Sequence, residues 1–100
     1  MRTVYKYAMN EPDCTFEIPF PAKILHVATQ NEDPCLWVLV DTDRPKLAHR
    51  FLAVGTGHEL PKELFAPEEM FVGTVFIGTL VFHIFQSSIL KPEDQEGGSA

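Results

Sequence analysis

Basic residues are scarce in this sequence of 100 amino acids. Eight lysines and arginines stand against fourteen aspartates and glutamates, so the formal net charge is −6. After Lys62 the only basic residue is Lys91, whereas six acidic residues follow Lys62. Affinity for nucleic acids comes mainly from clustered cations that displace phosphate counterions. The composition therefore disfavours direct binding of DNA or RNA and favours an acidic surface that contacts a basic region of another protein.

Cysteines and long apolar runs are also scarce. Cys14 and Cys35 are the only cysteines, and they lie in different segments, which indicates two reduced thiols rather than a disulfide. Residues 1–13 are polar and contain no apolar segment of the kind found in signal peptides. No apolar run reaches the roughly 20 residues that a membrane-spanning helix needs. We therefore expect an intracellular protein that does not enter a membrane.

The residues that are plentiful alternate as they do in β-strands. Apolar and polar positions change every second residue in several short segments, and prolines or turn formers separate these segments. We predict a mostly β protein, a small antiparallel sandwich or partly open barrel of six to seven strands with one short helix. The strand segments are "TVYKYAM", "CTFEIP", "KILHVATQ", "CLWVLVD", "LAHRFLAV" and the two halves of "FVGTVFIGTLVFHIF".

The segment from residue 23 to residue 43 predicts a hairpin. Turn-forming residues occupy 31–34, between two apolar runs. A four-residue loop places Gln30 opposite Cys35 and Ala28 opposite Trp37. Both faces of this hairpin are then largely apolar, so we expect it to be covered on both sides and to favour a homo-oligomer.

The phenylalanine-rich stretch 71–85 predicts the last hairpin, with its turn at Gly78-Thr79. Pairing across that turn places Thr74 opposite His83, and we expect the imidazole to hydrogen-bond to this threonine. Phe71 falls on the other face of the hairpin, with Val75, Phe82 and Ile84.

The only segment with helical character is "ELPKELFAPEEM", residues 59–70. Pro61 suits the first turn of a helix, and Pro67 is expected to end it after one or two turns. Residues 91–100, "KPEDQEGGSA", predict a disordered polar tail. One β-rich domain is therefore expected over residues 1–90.

The four histidines do not form a metal motif. His26, His49, His58 and His83 are 23, 9 and 25 residues apart, and none of these separations matches a local ligand pair. Neither cysteine lies in a nucleophile motif, and no spaced pair of carboxylates suggests acid–base catalysis. We therefore predict no metal, no cofactor and no catalytic residue.

Two loops remain as candidate binding sites. Glycines alternate in the loop "GTGH", which predicts either a turn with positive φ or, with a neighbouring cation, an anion or nucleotide site. The charge asymmetry favours a second site, an acidic protein-binding edge that includes one phenylalanine. The residues of the possible ligand site are Arg50, Gly55, Gly57 and His58, and those of the protein-binding edge are Glu59, Glu63, Phe65, Glu68 and Glu69.

Three segments together resemble a family of short uncharacterised proteins from bacteriophages and prophage-bearing bacteria. They are "AKILHVATQNEDPCLWVLVD", "RFLAVGTGHELP" and "FVGTVFIGTLVFHIF", and the resemblance extends over residues 2–86. It implies a phage origin and a single β-rich domain. It implies no reaction. We expect such a protein to act in the cytoplasm of the bacterial host.

Small acidic phage proteins without catalytic motifs often bind and block a host machine. The leading hypothesis is therefore a non-enzymatic accessory protein that binds a host or phage protein, with inhibition of a host defence system, as in anti-CRISPR proteins, as one form of it. Sequestration of a nucleotide or another small anion is an alternative. A component of virion assembly is a second alternative.

Overall fold

A computed structural model describes residues 1–90 as seven β-strands and one helical turn. The predicted tail at 91–100 lies outside the described residues. The helical turn, α1, spans Pro67–Met70. The strands are β1 Arg2–Ala8, β2 Asp13–Pro19, β3 Lys23–Gln30, β4 Asp33–Asp41, β5 Lys46–Gly55, β6 Phe71–Ile77 and β7 Leu80–Leu90.

The strands form two antiparallel sheets that pack face to face. The smaller sheet has the order β1-β4-β3, and the larger has the order β2-β5-β7-β6. Alternate residues of the central strands point into the space between the sheets, as the period of two requires. The predicted fold class is confirmed. The fully buried residues of this core are Met9, Ile18, Leu36, Val38, Val40, Phe51, Val75 and Ile84.

One pair of sheet edges is held close together. Thr29 on β3 donates its hydroxyl to the carbonyl oxygen of Phe76 on β6, at 2.7 Å. A Cβ atom placed on Gly73 of β6 would lie 3.2 Å from Cβ of Val27 on β3, closer than ordinary van der Waals contact. Glycine therefore favours this approach, because a side chain at position 73 would press on Val27.

The turn of the β3–β4 hairpin differs from the prediction. Asn31 and Glu32 have φ of 54° and 67°, so the loop has two residues rather than four. Two consecutive positive φ angles match the right-handed twist of a tight hairpin, and this selects the shorter loop. Gln30 therefore pairs with Asp33, and Ala28 pairs with Cys35 instead of Trp37.

The prediction that this hairpin is covered on both sides is also wrong for the described residues. The irregularity between Ile24 and His26 makes Leu25 an extra residue in β3. Leu25 is 50% exposed, and Val4 of the neighbouring β1 is 45% exposed. The inner face of the small sheet packs against the large sheet, whereas no element within residues 1–90 lies over its outer face.

The last hairpin turns at Gly78-Thr79 and pairs Thr74 with His83, as predicted. A second irregularity between Phe71 and Gly73 makes Val72 an extra residue in β6. The expected face of Phe71 was therefore wrong. Its ring packs edge-on against Phe85, on the outer face of the large sheet, with the ring centroids 5.7 Å apart.

The helical turn begins at Pro67, so the prediction that Pro67 ends a helix is wrong. Proline is favoured in the first turn because its missing N–H has no partner there in any case. The amides of Glu69 and Met70 both donate to the carbonyl of Ala66 at 3.0 Å. Pro61 instead accepts a hydrogen bond from the amide of Leu64 in a turn.

We predict that Gly73→Ala lowers the free energy of unfolding by about 1–3 kcal/mol, because the new methyl group would overlap Val27. The loss should be smaller when the same change is made in a Val27→Gly background, where the Cβ atom and both methyl groups of Val27 are gone. Chemical denaturation of the four proteins of this double-mutant cycle measures the coupling. Equal losses in both backgrounds would contradict the close approach of β3 and β6.

Candidate functional site

The outer face of the large sheet is apolar and is covered by the chain that joins β5 to β6. Leu52, Val54 and Phe85 lie on this face, and Leu64 packs on them with only 4% of its surface exposed. Met70 packs at the margin of the same cluster. We call residues 56–70 the covering segment. When Leu64 of this segment is buried on the sheet, the apolar outer face is removed from water.

Short turns hold the covering segment to the sheet. The amide of His58 donates to the carbonyl of Gly55 at 3.1 Å, and Gly57 has a φ of +87°. This confirms the glycine turn with positive φ, one of the two interpretations of the "GTGH" loop. The amide of Thr56 also donates to the carbonyl of Val81 on β7, at 3.1 Å. The start of the covering segment is therefore tied to two strands.

The predicted protein-binding residues all lie on the exposed side of the covering segment. Phe65 is 82% exposed, although the preceding residue, Leu64, is buried. The four glutamates are exposed, and Glu68 and Glu69 form the first turn of α1. We call this set the acidic surface; its residues are Glu59, Glu63, Phe65, Glu68 and Glu69.

A cleft of about 350 Å³ adjoins one end of the acidic surface. Glu69 and Phe71 contribute to its wall on one side, and Ser87 and Ser88 of β7 contribute on the other. Phe71 is itself about half exposed. The acidic surface and the adjoining cleft together present two exposed aromatic rings, carboxylates and a concave region that could accept a side chain of a partner.

Arg50 joins the covering segment to the sheet through ion pairs. Its Nε and Nη2 donate to the two carboxylate oxygens of Asp13 at 2.9 and 2.7 Å, and Nη2 lies 3.4 Å from Oε2 of Glu63. Hydrogen bonding to Arg50 lowers the pKa of Asp13 below its ordinary value. The guanidinium charge is thus shared between two carboxylates.

Arg50 was also predicted to belong to the possible ligand site, with Gly55, Gly57 and His58. Arg50 is five residues from Gly55 along one strand, a distance of about 16 Å at roughly 3.3 Å per residue. Gly55 and His58 line a cleft of about 230 Å³ with Thr56 and residues 79–82. Neither Arg50 nor Gly57 lines it. The structure therefore brings Gly55 and His58 together but leaves Arg50 apart from them, and a ligand role for these residues stays a prediction.

His83 makes two hydrogen bonds with threonine hydroxyls. Its Nδ1 lies 3.0 Å from Oγ1 of Thr74, which confirms the expected partner. Its Nε2 lies 2.7 Å from Oγ1 of Thr56, a contact that the strand pattern could not predict because Thr56 lies in a turn. The imidazole thus links β6, β7 and the first residue of the covering segment.

His49 is the one buried histidine within residues 1–90, at 3% exposure. Its Nδ1 lies 3.0 Å from Nε2 of Gln86, while its Nε2 has no hydrogen-bond partner within the described chain. Burial lowers the pKa of His49 below its ordinary value of 6.5, and the backbone of Ile18 and the charge of Glu17 oppose this more weakly. The neutral imidazole is therefore the form that the fold favours.

A cleft that the sequence did not indicate lies at one end of the small sheet. It has a volume of about 310 Å³, and Arg2, Lys23 and Arg44 line it together with Asp41. The three cations come from three separate parts of the chain, at intervals of 21 residues. No local motif could have indicated that they meet.

The structure also shows the state of the cysteines and whether residues 1–90 hold a metal site or a membrane-spanning helix. Cys14 and Cys35 are free thiols on different sheets. Residues 1–90 contain no group of three or more histidine, cysteine, aspartate or glutamate side chains arranged to hold a metal ion. Over the same residues, no helix is long and apolar enough to cross a membrane.

A protein-family model described as "Domain of unknown function (DUF7352)" matches residues 1–95. No curated protein matches the sequence, and no solved structure matches it.

We predict that the stability of the protein falls as the pH drops below about 6.5. Because the pKa of His49 is lower in the folded state, the unfolded chain takes up its proton first, and the loss approaches about 1.4 kcal/mol per pH unit until the folded pKa is reached. Denaturation at a series of pH values measures this slope. His49→Leu should flatten the slope, whereas His26→Leu, which removes an exposed histidine, should retain it; equal slopes in the two variants would contradict the prediction.

Proposed function

Because the chain belongs to the family described as "Domain of unknown function (DUF7352)", a description that specifies no activity, we propose its function from its surface. We propose that it is a non-enzymatic protein that binds another protein through the acidic surface. The observation that carries this proposal is the difference in exposure between Leu64 and its neighbour Phe65. One is 4% exposed and the other 82% exposed, on a segment that turns fix to the sheet.

This contrast supports binding because the burial of Leu64 limits how Phe65 can move. An aromatic side chain that stays exposed to water does not stabilise the folded monomer. Aromatic residues are, however, enriched among those that contribute most to the free energy of binding at protein interfaces. Because the backbone of an anchored segment is already ordered, binding through Phe65 costs mainly the side-chain entropy of its ring. Phe65 is therefore the central contact of the proposed interface.

The charge around Phe65 indicates the chemistry of the partner. Within residues 1–90, Glu63 pairs with Arg50, whereas Glu59, Glu68 and Glu69 make no ion pair. A partner with lysines and arginines around an apolar pocket would complement both the ring and the carboxylates. Proteins that bind nucleic acids present such surfaces, and the partner we favour is of that kind.

The biological setting that we propose follows the resemblance to phage and prophage proteins. The protein would be phage-encoded, would act in the cytoplasm of the bacterial host, and would bind a host or phage protein there. Occupation of the nucleic-acid site of a defence complex is the form of inhibition that the acidic surface fits best. A role in virion assembly is the alternative, and in that case the protein would be present in purified particles.

We predict that Phe65→Ala weakens binding of the partner by about 2 kcal/mol, roughly 30-fold, as expected for a central aromatic contact. The partner is first captured from a lysate of infected bacteria and identified, and its affinity is then measured by calorimetry. Phe76→Ala is the matched control, because Phe76 is 66% exposed but lies on β6, outside the acidic surface. Equal affinities of the two variants would contradict the proposal.

A second variant tests whether the carboxylates of the acidic surface contribute to binding of the partner. Glu68→Lys together with Glu69→Lys reverses two exposed charges that make no described ion pair. The association rate should fall, and its dependence on salt should weaken. An unchanged rate at low salt would show that the carboxylates do not contact a basic partner.

We also propose that the protein forms a homo-oligomer through the outer face of the small sheet, where Leu25 and Val4 are exposed beside Trp37 and Leu39. Light scattering should give a mass of at least two chains, compared with 11.3 kDa for one. Leu25→Asp should reduce this mass to that of the monomer, because it places a charge in the apolar contact. A monomeric wild-type protein at 100 µM, a concentration chosen for this test, would overturn the proposal.

A further inference from the structure

The cleft at the end of the small sheet gathers an unusual share of the positive charge of the protein. Three of the eight lysines and arginines, Arg2, Lys23 and Arg44, line this one cleft, although the chain as a whole carries a net charge of −6. Arg2 begins β1, Lys23 begins β3, and Arg44 lies in the loop that joins β4 to β5. Two sheet edges and one loop therefore bring these side chains together.

These cations are available to a ligand. Among residues 1–90, no carboxylate oxygen lies within 4.0 Å of a charged nitrogen of Arg2, Lys23 or Arg44. Two other cations differ in this respect, because Arg50 pairs with Asp13 and Lys6 donates to Gln30.

Asp41 is the one carboxylate that lines the cleft, and its charge is already engaged. Its Oδ1 accepts the backbone amide of Asp43 at 3.0 Å and lies 3.2 Å from the amino nitrogen of Met1. The amide hydrogen bond lowers the pKa of Asp41, with further contributions from the Met1 amino group and from the charge of Arg44. Three cations thus line the cleft beside one carboxylate that also has partners outside it, and the cleft is left with an excess of positive charge.

The remaining walls of the cleft are apolar. Pro21, Ala22, Leu39 and Val40 line it beside the cations. A volume of about 310 Å³ is at the lower end of the range for small-molecule sites, which begins near 300 Å³. A ligand that fits must therefore be small, must carry concentrated negative charge and must have an organic part that contacts the apolar wall.

We propose that this cleft binds a small molecule that carries a phosphate monoester, such as a mononucleotide or a sugar phosphate. The two guanidinium groups supply paired donors whose spacing matches phosphate oxygens, and Lys23 supplies a third charge. A dianionic phosphate neutralises most of the charge in the cleft, whereas a neutral ligand would leave it uncompensated. This site is separate from the acidic surface, so each can be tested without the other.

Calorimetric titration of the full chain with AMP and with ribose 5-phosphate tests the proposal. At least one of them should bind saturably, and at least about fivefold more tightly than inorganic phosphate, because the organic part contacts the apolar wall. Arg44→Gln should weaken that binding by roughly 10- to 100-fold, as expected when a charged hydrogen bond to phosphate is lost. Lys23→Gln is a second variant, in case the first does not fold.

Lys62→Gln is the matched control, because it removes the same charge from the covering segment rather than from the cleft. It should change the affinity by less than about twofold, since a distant exposed charge is screened. Phe65→Ala should also leave the affinity unchanged, which separates this site from the proposed protein interface. A 15-nucleotide single strand is titrated in parallel as a polyanion.

Three outcomes would overturn the proposal. One is the absence of saturable binding of both AMP and ribose 5-phosphate at millimolar concentration. Another is an equal loss of affinity for the phosphate ester in Arg44→Gln and Lys62→Gln, which would indicate only a general effect of net charge. The third is binding of the oligonucleotide alone, which would mean that the cations contact a nucleic-acid backbone instead of a small phosphate ester.

Discussion

The burial of Leu64 on the outer face of the large sheet is the contact on which the proposed function depends. That sheet is apolar on both sides: Phe51 and Ile84 point into the sandwich, while Leu52 and Phe85 point away from it. The second face has to be covered, since leaving it in water would forfeit about 25 cal/mol for every Å² of apolar surface. The covering segment performs this task, and its geometry fixes where the acidic surface lies.

The strands of this fold could be predicted from the sequence because their apolar residues alternate. Their pairing could be predicted only where the turn residues left one choice, as at Gly78-Thr79. The two-residue turn at Asn31 and Glu32 escaped prediction because Pro34 suggested a longer loop, although proline is tolerated near the start of a strand. The extra residues in β3 and β6 were not predictable either, since the close approach of these two edges depends on contacts distant in sequence.

The candidate sites differ in how far the sequence indicated them. The residues of the acidic surface lie within eleven positions of one another, so their charge asymmetry was visible in the sequence. What the sequence could not show is that Leu64 is buried while its neighbour Phe65 is exposed, because no helical or strand period applies to this segment. The cleft of Arg2, Lys23 and Arg44 was missed for another reason: sheet topology, rather than spacing, brings these residues together.

Photo-crosslinking from position 65 shows whether Phe65 contacts the protein partner. Replacing Phe65 with p-benzoylphenylalanine keeps an aromatic side chain at the centre of the acidic surface, and the same replacement at Phe76 serves as the control. We expect irradiation of infected cells to attach one specific protein to position 65 and not to position 76. Crosslinking of that protein at position 76 alone, or at both positions equally, would contradict it.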